Sequence, residues 1–154
     1  MVADRYGAYK TVAEATPIIL AFCWAQIRRD FIDLAASRPH QQDRALQWQG
    51  EALCFVHVLL NALDMHQRGM IVKIIIEGQA VKLPPELQRP DHTFHDLYAR
   101  TEQAGLIEGV CKACATKMGT IADIQAQGLP LLEDMSGHPS LGRYLAQGFT
   151  ILTF

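Results

Sequence analysis

Residues 70–76 carry Ile71, Val72, Ile74, Ile75 and Ile76, interrupted by Lys73, and Gly78 closes the run. A strand with one wet face alternates apolar and polar residues. A near-continuous β-branched run fits a strand covered on both faces, which is the condition of parallel sheets. The flanking segments agree. Residues 52–68 read as a helix, apolar at Phe55, Val58, Leu59, Ala62 and Leu63 and stopped by Gly69. Pro84 and Pro85 break the next stretch. Residues 94–104 read as a helix, 106–110 as a short strand, 113–127 as a helix ending at Gly128, 139–147 as a helix, and 149–154 as a final strand. This order predicts parallel strands joined by crossover helices, with chemistry at the carboxyl ends of the strands. Glu77 and Cys111 stand at such ends.

Composition narrows the functions. Of 154 residues, 49% are hydrophobic and 19% charged, as in a globular domain, and the formal net charge of -2 gives no field to hold a phosphate backbone. Nucleic acid is therefore not an expected partner, although Arg28 and Arg29 are adjacent. The longest apolar run, residues 18–25, is far below the roughly 18 residues that cross a bilayer, so no membrane partner is expected. The polar start, with Asp4, Arg5 and Lys10, does not read as a secretory leader. A cytoplasmic protein with reduced thiols at Cys23, Cys54, Cys111 and Cys114 is the expectation. Cys111 and Cys114 are spaced C-x-x-C without a second pair at finger-like spacing, so neither metal nor cofactor is expected.

Residues 1–47 differ from the rest. Residues 18–23 are short and apolar after Pro17. Residues 25–37 read as a helix, with Ile27, Phe31 and Leu34 on one face, and Pro39 with the polar residues 40–43 ends that pattern. The chain divides into a fragment at 1–47 and an α/β domain at 48–154.

The second segment resembles the DsrE/DsrF-like family of sulfur-relay proteins. The resemblance lies in Cys54-Phe-Val-His57 through Asp64-Met65, Val72-Lys-Ile-Ile-Ile-Glu77-Gly78, Gly105 through Gly119 with Cys111, Cys114 and Lys117, Gly137-His138-Pro139-Ser140, and Thr150 through Phe154. It implies a small parallel-sheet, three-layer α/β domain with a mainly helical N-terminal appendage. The first segment resembles the central domain of insertion-sequence transposases of the IS-sixty-six type, through Asp4-Arg-Tyr6-x-Ala-Tyr9 and Leu20-Ala-Phe-Cys23-Trp24-Ala25-x-x-Arg28-Arg29-x-Phe31. Asp4 matches one of that family's three metal-binding carboxylates. Gln26 stands where the family has histidine, and one carboxylate cannot clamp two magnesium ions, so transposase activity is not expected.

Cys111 is the first candidate for chemistry. A thiol between a strand and a helix start, near Lys112 and Lys117, is expected to have the lowest pKa of the four. The resemblance makes it the sulfur carrier. Cys114, one turn on, would resolve a persulfide as a disulfide. Glu77, Lys117 and His138 are supporting candidates: Glu77 to orient a ligand or tune Cys111, His138 to cap or position a loop. Cys23, Cys54 and His57 read as packing residues. The functional expectation is a thiol-based sulfur carrier or sulfurtransferase-like module, working as a homo-oligomer with a sulfur-relay protein partner. The alternatives are a non-catalytic binding module and a fusion product carrying an inactive transposase remnant.

The join poses a structural question. A DsrE-like sheet begins with a central strand before the helix near Ala52, and residues 44–48 are a poor strand with only Ala45, Leu46 and Trp48 apolar. Their short connection to the helix favours them for the slot, with residues 18–23 left to a sheet edge or a covering helix.

Overall fold

A computed structural model of the chain describes residues 17–22 and 44–154. Among them five strands form one sheet: β1 (Ile18–Phe22), β2 (Val72–Ile76), β3 (Ile107–Cys111), β4 (Leu131–Leu132) and β5 (Thr150–Thr153), in the order β4-β3-β2-β1-β5. Every pairing is parallel. The helices are α1 (Arg44–Gln67), α2 (Leu83–Leu87) after a 3-10 turn at Gly78–Lys82, α3 (His95–Gln103), α4 (Lys112–Met118), α5 (Ile121–Ala126) and α6 (Leu141–Ala146). The chain is thus a small parallel α/β fold.

The interior slot expected for residues 44–48 is filled differently. Ile18–Phe22 lies between β2 and β5, pairing Ile18 with Val72 and with Thr150. Residues 44–48 begin α1 instead. The reason is burial: Ile18 and Ile19 are 2% and 0% exposed. A slot paired on both sides selects residues that satisfy an apolar environment above and below, which Ala45, Leu46 and Trp48 among polar neighbours would not. Residues 1–16 and 23–43, with Asp4, Cys23, Arg28, Arg29 and the rest of the expected appendage, lie outside the described residues.

Side chains alternate across the sheet and build a core on each face. One core joins Ile18, Ile74, Ile76 and Val110 to Phe55, Val58, Leu59 and Ala62 of α1, to Leu87 of α2, Tyr98 of α3, Ala115 of α4 and Ile124 of α5. The other joins Ile19, Ile75 and Leu132 to Tyr144 of α6 and Phe149. The second face also carries a polar group: Lys73 Nζ donates to Glu108 Oε2 at 2.7 Å, and the Tyr144 hydroxyl donates to Glu108 Oε1 at 3.0 Å. Glu108→Ala leaves the half-buried Lys73 ammonium without its carboxylate and the Tyr144 hydroxyl with Arg143 alone, and should cost about 1–2 kcal/mol in a urea unfolding titration.

Three local expectations need correction. Pro84 and Pro85 do not break the chain but sit in the first turn of α2, where their missing N–H groups are no loss. The helix expected over 113–127 is two, because the backbone turns left-handed at Gly119 and restarts as α5. His57 is exposed rather than packed, since Phe55, Val58, Leu59 and Ala62 define the buried stripe of α1 and His57 lies off it.

Candidate functional site

The carboxyl ends of β2 and β3 carry Glu77 and Cys111. Cys111 ends β3 and Lys112 begins α4 with no residue between them, so the thiol is held where the strand turns into the helix. Cys111 is buried, and Cys114 on the first turn of α4 is half-buried.

A distant loop completes the group. Met135 and His138 exchange backbone hydrogen bonds of 2.8 Å in both directions, closing a tight hairpin whose tip, Ser136 and Gly137, has φ of 49° and 88°. Positive φ at both central residues is the two-residue hairpin geometry that favours glycine. The Gly137 carbonyl accepts the Ala113 N–H at 2.8 Å, docking the hairpin on the start of α4. Any Cβ at Gly137 would meet the Ala113 Cβ at 3.2 Å. Asp134 holds the loop's other end by accepting from the Ser140 N–H at 3.0 Å and from Arg143 Nη1 at 2.6 Å.

This docking places His138 Nδ1 3.3 Å from Cys111 Sγ, with the Gly137 carbonyl oxygen 3.7 Å from the same sulfur. Cys111 Sγ, Cys114 Sγ and the His138 nitrogen all lie within 4.8 Å of one another. Glu77 is close enough to interact electrostatically with both His138 and Cys111. Burial holds its carboxyl above the usual range, and the His138 charge opposes that. Of the residues singled out from the sequence, Cys111, Cys114, Glu77 and His138 therefore share one place. Lys117 is exposed on the last turn of α4, and Lys112 forms an ion pair with Glu133 across the loop.

The expected low thiol pKa at Cys111 does not survive this environment. Burial pushes the thiol up to about 12, the Cys114 N–H pulls the other way, and the neighbouring Cys114 thiol and Glu77 charge add to the rise. A helix start lowers a thiol's pKa when water also reaches the thiolate, and here it does not. The proton instead has a neighbour to go to, the imidazole nitrogen at 3.3 Å. Sequence spacing alone concealed that pairing, because 27 residues separate the two partners.

Cys54 is half-buried against the core, as its apolar neighbours imply. No helix among the described residues is long and apolar enough to cross a membrane.

Comparison with known proteins finds two similarities. The family model described as Transposase IS66 family matches residues 1–54, a span that contains β1 and ends inside α1. An uncharacterised protein of Methanocaldococcus jannaschii, MJ0733, is 33% identical over 97 residues, which cover 63% of this chain and 77% of that relative. No solved structure matches significantly.

Proposed function

Starting from a chain that belongs to the family of the Methanocaldococcus jannaschii protein and carries a transposase-like segment at residues 1–54, we propose a DsrE-like, thiol-based sulfur carrier working at Cys111. The observation that carries this reading is the 3.3 Å contact between Cys111 Sγ and His138 Nδ1. A buried thiol of high pKa becomes a nucleophile when a base within hydrogen-bond reach takes its proton during attack.

Cys114 is the more exposed of the two thiols and receives sulfur first. Its thiolate attacks the outer sulfur of a donor persulfide, forming a new S–S bond, and the donor leaves as a thiolate. Cys111, losing its proton to His138, then attacks the outer sulfur of the Cys114 persulfide, and Cys114 leaves as a thiolate. No electrons are gained or lost overall. The sulfane sulfur ends on a buried atom, away from competing thiols. Delivery to an acceptor reverses these steps. Attack by Cys111 on the inner sulfur instead releases hydrosulfide and leaves a Cys111–Cys114 disulfide.

A cytoplasmic setting suits this cycle, because thiols stay reduced there. Met135, 52% exposed beside His138, offers an apolar contact to a sulfur-relay protein partner, and a homo-oligomer belongs to the same proposal. The division into a transposase-derived fragment at 1–47 and a DsrE-like domain at 48–154 is likewise part of it. Within the segment 1–47, Ile18–Phe22 donates a strand to the sheet.

Mass mapping after incubation with a small-molecule persulfide tests the proposal. One added sulfur atom is expected on Cys111 in the parent chain. Cys114→Ser should load Cys111 at least ten-fold more slowly, and His138→Gln should strand sulfur on Cys114. Sulfur found equally on Cys54, or none on either member of the pair, would end it.

A further inference from the structure

We propose that Cys111, Cys114 and His138 bind one tetrahedral, thiophilic divalent cation of the zinc class, leaving a fourth coordination position open. The proposal does not rest on sulfur transfer, although it uses the same thiols. It concerns the reduced protein with no sulfur on it.

The donor set is the first argument. Two cysteine sulfurs and an imidazole nitrogen are the ligands that borderline-soft cations take, in contrast to the oxygen ligands of magnesium and calcium. Spacing is the second. Zinc–sulfur and zinc–nitrogen bonds of about 2.3 and 2.0–2.1 Å at a tetrahedral angle put sulfur and nitrogen roughly 3.5 Å apart. Cys111 Sγ and His138 Nδ1 are 3.3 Å apart, within a few tenths of an ångström of that. Tetrahedral geometry puts two sulfurs roughly 3.8 Å apart. The three donor atoms here all fall within 4.8 Å of one another, about 1 Å above that spacing at most.

Rigidity is the third argument. Cys111 is fixed by the β3–α4 junction, and Cys114 by the first turn of α4. The imidazole is fixed by a hairpin docked through the Ala113 N–H and the Gly137 carbonyl. All three donors are therefore positioned by backbone contacts made without any ion. Charge agrees as well. Each bound thiol gives its proton to solvent, and two thiolates neutralise a divalent cation. Three protein ligands with an open fourth place is the pattern of reactive rather than structural zinc sites. Glu77, within electrostatic reach of His138, lies beside the group.

Cobalt(II) titration of the reduced full-length chain, followed by zinc competition, tests this directly. One equivalent of cobalt should produce sulfur-to-cobalt charge-transfer absorption together with intense tetrahedral d–d bands, and one equivalent of zinc should abolish both. Cys111→Ser and Cys114→Ser should each remove about half the charge-transfer intensity and weaken binding at least ten-fold. His138→Ala should weaken binding similarly while keeping that intensity. Cys54→Ser and Cys23→Ser should change neither. Should Cys111→Ser fail to fold by circular dichroism, Cys114→Ser and His138→Ala still decide the matter. Absence of charge-transfer bands, or their loss in Cys54→Ser or Cys23→Ser with retention in Cys114→Ser, would overturn the proposal. Because no sulfur donor is present, a failed persulfide assay leaves this result standing, and the reverse also holds.

Discussion

Gly109→Ala is expected to lower the unfolding free energy by about 3 kcal/mol, because the added methyl group meets the tightest contacts of the described glycines. Gly109 lies inside β3, where the register with β2 shifts between Ile74 and Ile75. A Cβ there would come within 2.7 Å of the Pro130 carbonyl oxygen and 2.8 Å of Leu132 Cγ. That carbonyl cannot step aside, because it accepts the Val110 N–H at 2.8 Å and thereby starts the β3–β4 pairing. The methyl group therefore pushes β4 off the sheet edge and opens the core around Leu132, which is 9% exposed. A domain stability of about 5–15 kcal/mol makes this a visible fraction of the whole. Urea titration monitored by circular dichroism checks it. An unchanged midpoint would mean that β4 holds nothing together.

Cys111 in the folded protein is expected to alkylate with iodoacetamide at pH 7 about fifty-fold more slowly than in the urea-unfolded chain. Burial raises its pKa from an ordinary 9.0 to about 12, so the thiolate fraction at pH 7 falls about a thousand-fold. The stronger intrinsic nucleophilicity of a high-pKa thiolate returns roughly twenty-fold of that loss. The folded rate should climb about ten-fold per pH unit between pH 7 and 10. Stability follows the same proton. The folded state favours the protonated thiol, so the contribution is intact below the unfolded pKa near 9 and is lost as pH rises toward the folded value. Peptide-resolved labelling reads the rate, and thermal melts at pH 7 and pH 10 read the stability, with the lower melting temperature expected at pH 10. Equal labelling in the folded and unfolded chains would show that His138, not burial, governs the thiol.

Slow labelling of Cys111, with Cys114 within 4.8 Å of it, would agree with the proposed sulfur-carrier role. The sequence singled out Cys111 as the most reactive cysteine, whereas burial raises its pKa.

What the amino-acid sequence determined by itself was local. The β-branched residues 72–76 specify a doubly covered strand, the spacing of Phe55, Val58, Leu59 and Ala62 specifies the buried stripe of α1, and Cys111 falls at a strand end because the period changes there from two to 3.6. Each of these is a property of residues near one another in the chain. The tertiary structure decided what depends on partners far away. Ile18–Phe22 occupies an interior slot of the sheet because Val72–Ile76 and Thr150–Thr153 offer hydrogen bonds on either side, while residues 44–48, expected there for their short link to the next helix, extend that helix. The two-residue β4 exists only because Gly109 lets Pro130 approach. His138 becomes part of a site because a hairpin with two positive φ angles docks on Ala113, and Cys111 loses its expected acidity because that same packing removes water from its thiolate. Pairing and desolvation are sums over neighbours in space, and spacing along the chain does not record them.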